Sequence, residues 1–377
     1  MAPVEKILII GGGIGGMCAA LQMRKLGIAV DLVEVDPNWS VYGAGITISG
    51  PTLRALRSVG VVDQVIASAG TWSDIDICAA DGSAFARLPI PKSQGAEDLP
   101  PAAAILRPVF ARILSDATRA SGVAVKLGAT FERIEQDGLG VDVLFTDGTR
   151  SRYDLVIGAD GINSKVRTAI FPDAPQPRFT GQGSWRAVLP RTVERSTIYM
   201  GANTKAGCNP VSTTEMYLFC LDHRKNFDFI PAQEWPRLMA EQLAEFGGIV
   251  GQVRKGLLDG SIGESLIVYR PLMGAMMEMP WHSGRVALLG DAVHATTPHL
   301  AMGAGIAVEG AVVLAEELQR ATELDAALTA YAERRYERSK LVVTASMRMG
   351  EIEQTGGSKD EQTQVMRDAL GKLAAPI

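Results

Sequence analysis

The segment Leu288-Leu289-Gly290-Asp291-Ala292-Val293-His294 combines residue types that can hold a ligand. An apolar run, Val286 to Leu289, ends in Gly290-Asp291. A loop interrupted by Pro298 follows, and Gly303-Ala304-Gly305 opens an apolar, helix-like stretch. A strand end presenting a carboxylate, then a helix N-terminus with unpaired N–H donors, suits a polyhydroxylated, anionic or electron-rich ligand. A second signature stands far away in the chain. Gly11-Gly12-Gly13-Ile14-Gly15-Gly16 satisfies G-x-G-x-x-G between a short apolar strand, Lys6 to Ile10, and a helical stretch. In that setting Gly11 permits the tight turn, Gly13 lets backbone approach a pyrophosphate, and Gly16 lets helix and strand pack closely. Glu34 ends the next apolar strand, about 20 residues on, where an acid accepts hydrogen bonds from an adenosine ribose. Strand, turn, helix and acid together point to a dinucleotide, without separating FAD from NAD. Two distant sites of complementary chemistry imply one long cofactor lying across the fold.

The elements that must position these residues follow from periodicity and punctuation. The opening reads strand (Lys6 to Ile10), turn, helix (Met17 to Leu26) and strand (Val30 to Glu34). Thr52 to Val59 and Pro108 to Ala120 read as helices, Pro89 to Pro101 as a loop excursion, and Val123 to Leu127, Val141 to Phe145 and Leu155 to Ile157 as strands. From about Gly181 to Arg270 the texture changes. Ser196 to Met200, Glu215 to Leu221 and Glu264 to Tyr269 read as strands separated by long turns, a candidate antiparallel sheet inserted in the first domain. Arg285 to Leu289 returns to buried α/β texture. The chain from Gly305 is mostly helical, with a polar tail after Gln354 expected to be mobile.

At 377 residues the chain can bury a large core spread over two or three domains. Apolar residues at 47% and charged residues at 21% describe a soluble globular protein. The net charge of −5 and the absence of a Lys/Arg tract exclude an electrostatic footprint for nucleic acid or a membrane surface. Cys18, Cys78, Cys208 and Cys220 are scattered without C-x-x-C, so neither disulfides nor zinc are indicated and a cytoplasmic location is expected. Ile7 to Ile10 resembles the start of a signal segment, but glycines interrupt it and no basic stretch precedes it.

Gly11 to Gly16 with Glu34, Asp160-Gly161 with Ser164 and Arg167, and Gly290-Asp291 through Glu309 occur in the order seen in class A flavoprotein monooxygenases. The chain resembles these aromatic hydroxylases, which act on para-hydroxybenzoate, salicylate, 3-hydroxybenzoate and 6-hydroxynicotinate. The resemblance implies an α/β fold: a discontinuous Rossmann-like FAD-binding domain, an inserted, mainly antiparallel β-sheet substrate domain, and C-terminal helices. The corresponding boundaries are 1–70, 100–180 and 275–320 for FAD binding, 71–99 and 181–274 for substrate binding, and 321–377 for the helical segment. It implies that Gly11, Gly13 and Gly16 hold the FAD pyrophosphate and Glu34 the adenosine ribose. Arg107 would contact the ribityl and phosphate portion, and Asp291 the ribityl or pyrophosphate side. Gly303, Ala304 and Gly305 would bring N–H groups to the isoalloxazine N1–C2=O region, where negative charge on reduced flavin is stabilised by a helix N-terminus. Asp160 lies in a motif linked to FAD and nicotinamide binding, and Gly45 in the loop beside the flavin. The chain departs from the family pattern at Ala301-Met302, at Gly310 and at Val41-Tyr42.

The implied reaction consumes NADH or NADPH and molecular oxygen and passes one oxygen atom, through a flavin C4a-hydroperoxide, to an electron-rich ring. The protein positions and activates the ring and excludes water. No second G-x-G-x-x-G occurs, so the nicotinamide is expected to bind transiently. Four residues are candidates for the substrate pocket. Lys205 could hold a carboxylate or phenolate, or be a solvated loop lysine. Tyr217 could act on substrate or simply pack in a buried strand. Pro298 could present its carbonyl to substrate or only break the chain, and His299 could reach the pocket. The expected partner is a small aromatic substrate bound by a monomer or homodimer. Two other readings stay open: epoxidation, oxidative decarboxylation or reduction in natural-product tailoring on the same FAD fold, and a non-catalytic FAD-binding protein. A halogenase is disfavoured because no Trp-x-Trp-x-Ile motif occurs.

Overall fold

The strands next to the two glycine-rich signatures are short apolar runs buried on both faces, the pattern of a parallel sheet covered by helices. The computed structural model describes residues 4–202 and 204–377. In it Lys6–Ile10 pairs in parallel with Ala29–Glu34 on one side and Leu155–Gly158 on the other. Ala124–Leu127 and Val286–Leu288 extend this sheet in parallel, and His282–Ser283 closes one edge antiparallel, making six strands. Ile7, Leu8, Ile9, Leu155, Val156 and Leu288 are fully buried in its core.

The helix Ile14–Lys25 and the later helix Gly303–Arg320 lie side by side on this sheet. A Cβ on Gly15 would stand 3.5 Å from the Ala307 side chain and 3.7 Å from Leu289. The two glycine-rich signatures, distant in sequence, therefore meet in space. A three-stranded sheet of Gly45–Ser49, Ala102–Leu106 and Gly70–Trp72 borders them, with every pairing antiparallel.

The seven-stranded sheet runs in the order Ile267–Gly274, Arg178–Pro190, Glu215–His223, Lys205–Pro210, Thr197–Met200, Asp74–Ala79, Ala84–Pro89. Its pairings are antiparallel except that of Thr197–Met200 with Asp74–Ala79. Strand alternation sorts its side chains. Trp185, Ala187, Leu218 and Cys220 turn to one face and pack with Met239 and Val250 of the helices Trp235–Gln242 and Gly248–Leu258 and with Leu243, which ends the first of them. Arg186, Val188, Tyr217, Phe219 and Asn209, in register across neighbouring strands, belong to the other face.

The structure departs from the sequence reading at several elements. The long turns expected between Leu221 and Glu264 contain the two helices just named. Glu264–Leu266 is a 3-10 turn, and the strand begins at Ile267. Lys205 opens a strand rather than lying in a loop. The tail after Gln354 is not a loose end: Lys359–Leu373 is a helix whose Ser358 side chain accepts from Glu361 N, and Ala369 and Leu373 are buried. Arg338 donates to the Leu373 carbonyl and Arg54 to those of Ala374 and Ala375. All four cysteines are free and buried, and among the described residues no helix is long and apolar enough to cross a membrane.

Candidate active site

The glycine-rich turn is built by close backbone contact. Gly11 has φ +109°, and a Cβ there would fall 2.3 Å from the Ala159 carbonyl oxygen. A Cβ on Gly16 would fall 2.0 Å from the Gly11 oxygen, so helix and strand touch backbone to backbone. Gly13 differs: it is exposed, and nothing lies within 4 Å of where its Cβ would be. It is the N-cap of the helix Ile14–Lys25 and offers no side-chain cap to the N–H groups that follow. Glu34 accepts from Gly12 N at 2.7 Å through one oxygen and from Asp36 N at 2.8 Å through the other. A carboxylate has about four acceptor sites, so Glu34 both fixes the turn and keeps capacity for hydroxyl donors.

Asp160 is occupied within its own loop. It accepts from Ser164 Oγ at 2.5 Å and from Lys165 N and Val166 N at 2.8 and 3.0 Å. This caps the helix Lys165–Ile170. From that helix Arg167, 2% exposed, donates to the carbonyls of Ala292 and Ile162 at 2.9 Å each. The Asp160 motif thus braces the segment that carries Asp291.

Asp291 opens the short helix Asp291–His294 after Gly290, whose φ is +68°. Its side chain is accessible to solvent and stands near Arg107. Desolvation there pushes its carboxyl pKa up, opposed by the nearby Arg107 guanidinium. Arg107, at the start of the helix Arg107–Ala120, has its own pKa lowered by desolvation, with Arg186 repelling it and Asp291 attracting it. Its Nε is shielded from solvent and has no hydrogen-bond partner among the described residues. The Arg107 side chain lies over Gly43, where a Cβ would come within 2.6 Å.

The helix Gly303–Arg320 likewise starts without a side-chain cap. A Cβ on Gly305 would meet Thr52 Oγ1 at 2.3 Å; Gly303 and Ala304 are partly exposed. The departures from the family pattern have local reasons. Met302 is fully buried with Leu300, Ile306 and Val342, its sulfur 2.8 Å from Ser49 Oγ. Gly310 packs on Leu289, where a Cβ would come to 3.0 Å. Tyr42 lies under the Arg270 guanidinium at 5.1 Å. Glu309 is buried between Arg335 and Arg338, each 2.8 Å away, and so ties this helix to the long helix Leu324–Thr355.

The four substrate-pocket candidates fall in two places, Tyr217 in one and Lys205 with the Pro298–His299 turn in the other. Tyr217 is 4% exposed and packs with Trp72, Ala102, Ala104 and Val211. Its hydroxyl also lies 2.6 Å from Thr47 Oγ1 and accepts from Asn209 Nδ2 at 3.0 Å, so packing and polar contact coexist. Gly45 makes room for its ring: a Cβ there would stand 2.1 Å from Tyr217 Cδ1. Lys205 and His299 meet elsewhere, on Glu353 of the long helix. Lys205 Nζ is 2.6 Å from one Glu353 oxygen, and His299 Nε2 is 3.1 Å from the other. Gln182 and Gln362 also donate to this carboxylate. Burial would raise the Glu353 pKa, but the His299 hydrogen bond and the Lys205 charge override it and hold the group well below the usual carboxylate range. His299 Nδ1 is 2.8 Å from Thr297 Oγ1, and its side chain is wholly buried. Lys205 is therefore ion-paired rather than a solvated loop lysine. Pro298 opens the 3-10 turn Pro298–Leu300 that leads to His299.

Of the remaining histidines, His294 is buried beside Trp281, with both ring nitrogens unpartnered and its pKa lowered to about 3, chiefly by burial. It is a neutral structural residue. His282 contacts Asp325, and His223 is exposed. Sequence reasoning passed over Thr47, Asn209, Arg186 and Glu353. A signal existed for Arg186, a single cation inside the apolar run Trp185 to Leu189. Glu353 had none, because its partners come from distant elements.

These residues fit FAD. Two uncapped helices pack side by side, an open Gly13 offers room for close approach, and Arg107 and Asp291 stand near each other. The comparisons agree. The family model described as FAD binding domain matches residues 5–346. The chain is 32% identical over 355 residues to aurachin C monooxygenase/isomerase of Stigmatella aurantiaca, covering 92% of this chain and 89% of the relative. It is 31% identical over 317 residues to 2-heptyl-3-hydroxy-4(1H)-quinolone synthase of Pseudomonas aeruginosa, covering 82% and 79%. The crystal structure of Klebsiella pneumoniae HpxO complexed with FAD and uric acid shares the fold, with a TM-score of 0.81 at 24% identity over 98% of this chain and 92% of that one. The chain belongs to the FAD binding domain family and is an FAD-dependent monooxygenase of the hydroxylase type.

Proposed function

We propose that this enzyme consumes NADH or NADPH and molecular oxygen to hydroxylate a small aromatic or heteroaromatic, phenol-like substrate. The observation that carries the reading is the packing of two uncapped helices, starting at Gly13 and Gly303, against each other at Gly15 and Ala307, with Arg107 and Asp291 as neighbours of opposite charge. The backbone of Gly11, Gly13 and Gly16 would take the pyrophosphate, and Glu34 the adenosine ribose. Arg107 and Asp291 would take the ribityl–phosphate portion, Gly303 to Gly305 the N1–C2=O edge, and Gly45 would flank the ring. Asp160 acts through Arg167 by fixing the Asp291 segment. Bound FAD supplies hydride acceptance from the nicotinamide and the activation of oxygen for the route described above.

The chain's own groups do the rest. Tyr217, locked by Thr47 and Asn209, offers a phenol held in one orientation for a substrate hydroxyl. The apolar surroundings of Trp72, Ala102 and Val211 exclude water, which strengthens such polar contacts. Glu353, held ionised, can only accept hydrogen bonds. His299 accordingly presents Nε2–H to it and receives the Thr297 hydroxyl at Nδ1, and Lys205 shares the same acid. This arrangement can hold a proton near the Pro298 turn when a phenol is ionised.

An NADH and NADPH oxidation screen over hydroxybenzoates, hydroxypyridines and larger phenols, with oxygen uptake and product mass, tests the reading. We expect substrate-accelerated oxidation and a product heavier by one oxygen atom. A second reading, oxygenation of a larger natural product, is favoured by the likeness to aurachin C monooxygenase/isomerase; the size of the accepted phenol decides between them. The expected setting is a monomer or homodimer in the cytoplasm, with neither nucleic acid nor membrane as partner.

A further inference from the structure

Arg186 is a cation that the fold leaves without a counter-charge. It stands in the middle of the strand Arg178–Pro190, between Trp185 and Ala187, which turn to the opposite face and are fully buried. Its register partners are Phe219 on one side and Val268 on the other. The next residue on its face, Val188, pairs with Tyr217. Among the described residues Arg186 has no ion pair and no side-chain hydrogen bond, and its Nε is shielded from water. The two fully buried arginines, both on helices, are not left so. Arg167 donates to two carbonyls, and Arg335 is paired with Glu309.

Arg186 is half-buried; a guanidinium partly withdrawn from water with no anion beside it is unfavourable, and a ligand anion would relieve that cost. Desolvation lowers the Arg186 pKa, and the group that opposes this is the Tyr217 phenol rather than a carboxylate. Arg107 is near enough to feel its charge, but Arg107 has Asp291 beside it. Arg186 belongs to the sheet side, with Tyr217, Thr47 and Asn209.

We propose that Arg186 is a specificity-determining residue that binds an anionic oxygen group of the aromatic substrate, a ring carboxylate or an ionised ring hydroxyl. The planar guanidinium fork pairs with both oxygens of a carboxylate, or donates to a single charged oxygen. The Tyr217–Thr47–Asn209 cluster beside it then reads an uncharged polar edge of the same ring. This inference rests on the hydroxylase reading for the word substrate, but the binding it describes is measured without turnover.

The experiment titrates the FAD-loaded protein with matched probes and follows the flavin absorbance. One arm pairs 4-hydroxybenzoate and salicylate with their amides, isolating the carboxylate. A second arm compares 4-nitrophenol above and below its own ionisation, isolating the phenolate. Wild type is expected to bind at least one anion about tenfold or more tighter than its neutral partner, as one charge-assisted hydrogen bond supplies. Arg186→Gln should lose that preference, weakening the anion about 10- to 100-fold while the amide changes little. Arg186→Lys should restore part of it, which a purely structural role would not do. FAD retention by both variants should match wild type. The inference is overturned if wild type shows no preference for any anion, or if Arg186→Gln weakens anion and amide alike. Loss of FAD from the variants would also overturn it, making Arg186 a cofactor ligand. Arg186-dependent anion binding without oxygenated product would refute the hydroxylase reading and leave this one standing. Anionic phenols bound and hydroxylated equally well by wild type and Arg186→Gln would do the reverse.

Discussion

Gly13→Ala separates what the fold needs from what the cofactor needs. Gly13 has φ −74° and ψ −178°, backbone angles that alanine adopts freely. The added methyl would have no protein atom within 4 Å. Replacing glycine at an N-cap costs up to about 1 kcal/mol, and restricting the unfolded chain offsets about 0.4–1 kcal/mol of that. The apoprotein should therefore unfold at nearly the wild-type temperature. A phosphate oxygen accepting a hydrogen bond from this turn approaches to about 2.9 Å, closer than the methyl allows. Losing one charge-assisted hydrogen bond costs about 1.5–3 kcal/mol, or roughly 10- to 150-fold in Kd for FAD. Gly16→Ala is the opposite case: its methyl would lie 2.0 Å from the Gly11 oxygen, so the fold itself must give way. Thermal unfolding of the apoproteins, together with FAD titration followed by flavin fluorescence, separates the two. A well-folded Gly13→Ala protein that binds FAD as tightly as wild type would show that no phosphate approaches Gly13.

Other perturbations have signs fixed by the structure. Tyr217→Phe removes a hydroxyl held by Thr47 and Asn209; we expect kcat to fall about 100-fold or more with FAD affinity unchanged, by steady-state kinetics and flavin titration. Glu353→Gln should cost about 1–3 kcal/mol in urea unfolding at pH 7, since Lys205 and His299 lose a charged partner. The Glu353 pKa is depressed in the folded state, so its contribution is present above the ordinary glutamate range and lost as pH falls through the folded value. The gap between variant and wild type should therefore narrow in acid. His294, with its pKa lowered from 6.5 to about 3, binds a proton more readily when unfolded. Stability should fall as pH drops below 6.5, by about 2 kcal/mol at pH 5. His294→Phe should flatten that slope in unfolding curves between pH 7 and pH 5.

The elements of the first parallel βαβ unit were legible because their signals are local. Strand, glycine turn, helix and Glu34 lie within one βαβ unit, and the apolar run ending at Gly290-Asp291 marks a strand end by itself. The substrate half depends on tertiary contact. Trp235–Gln242 and Gly248–Leu258 hid behind Pro236, Gly247 and Gly251, which interrupt the helical pattern; burial against the Trp185 face stabilises them regardless. The segment after Gln354 read as a mobile tail because its composition is polar. The Ser358 cap and the Arg54 and Arg338 contacts to its carbonyls order it. Lys205 and His299 were singled out separately, yet only the arrival of Glu353 on the long helix explains why they stand together.

Isotopic oxygen tests the central claim most directly. Purified enzyme loaded with FAD would be supplied with NADH or NADPH, oxygen-18 gas and the phenol that most accelerates nicotinamide oxidation. We expect a product that carries one oxygen-18 atom, formed in step with nicotinamide oxidation. Oxidation with no label in any product, across hydroxybenzoates, hydroxypyridines and larger phenols, would contradict it.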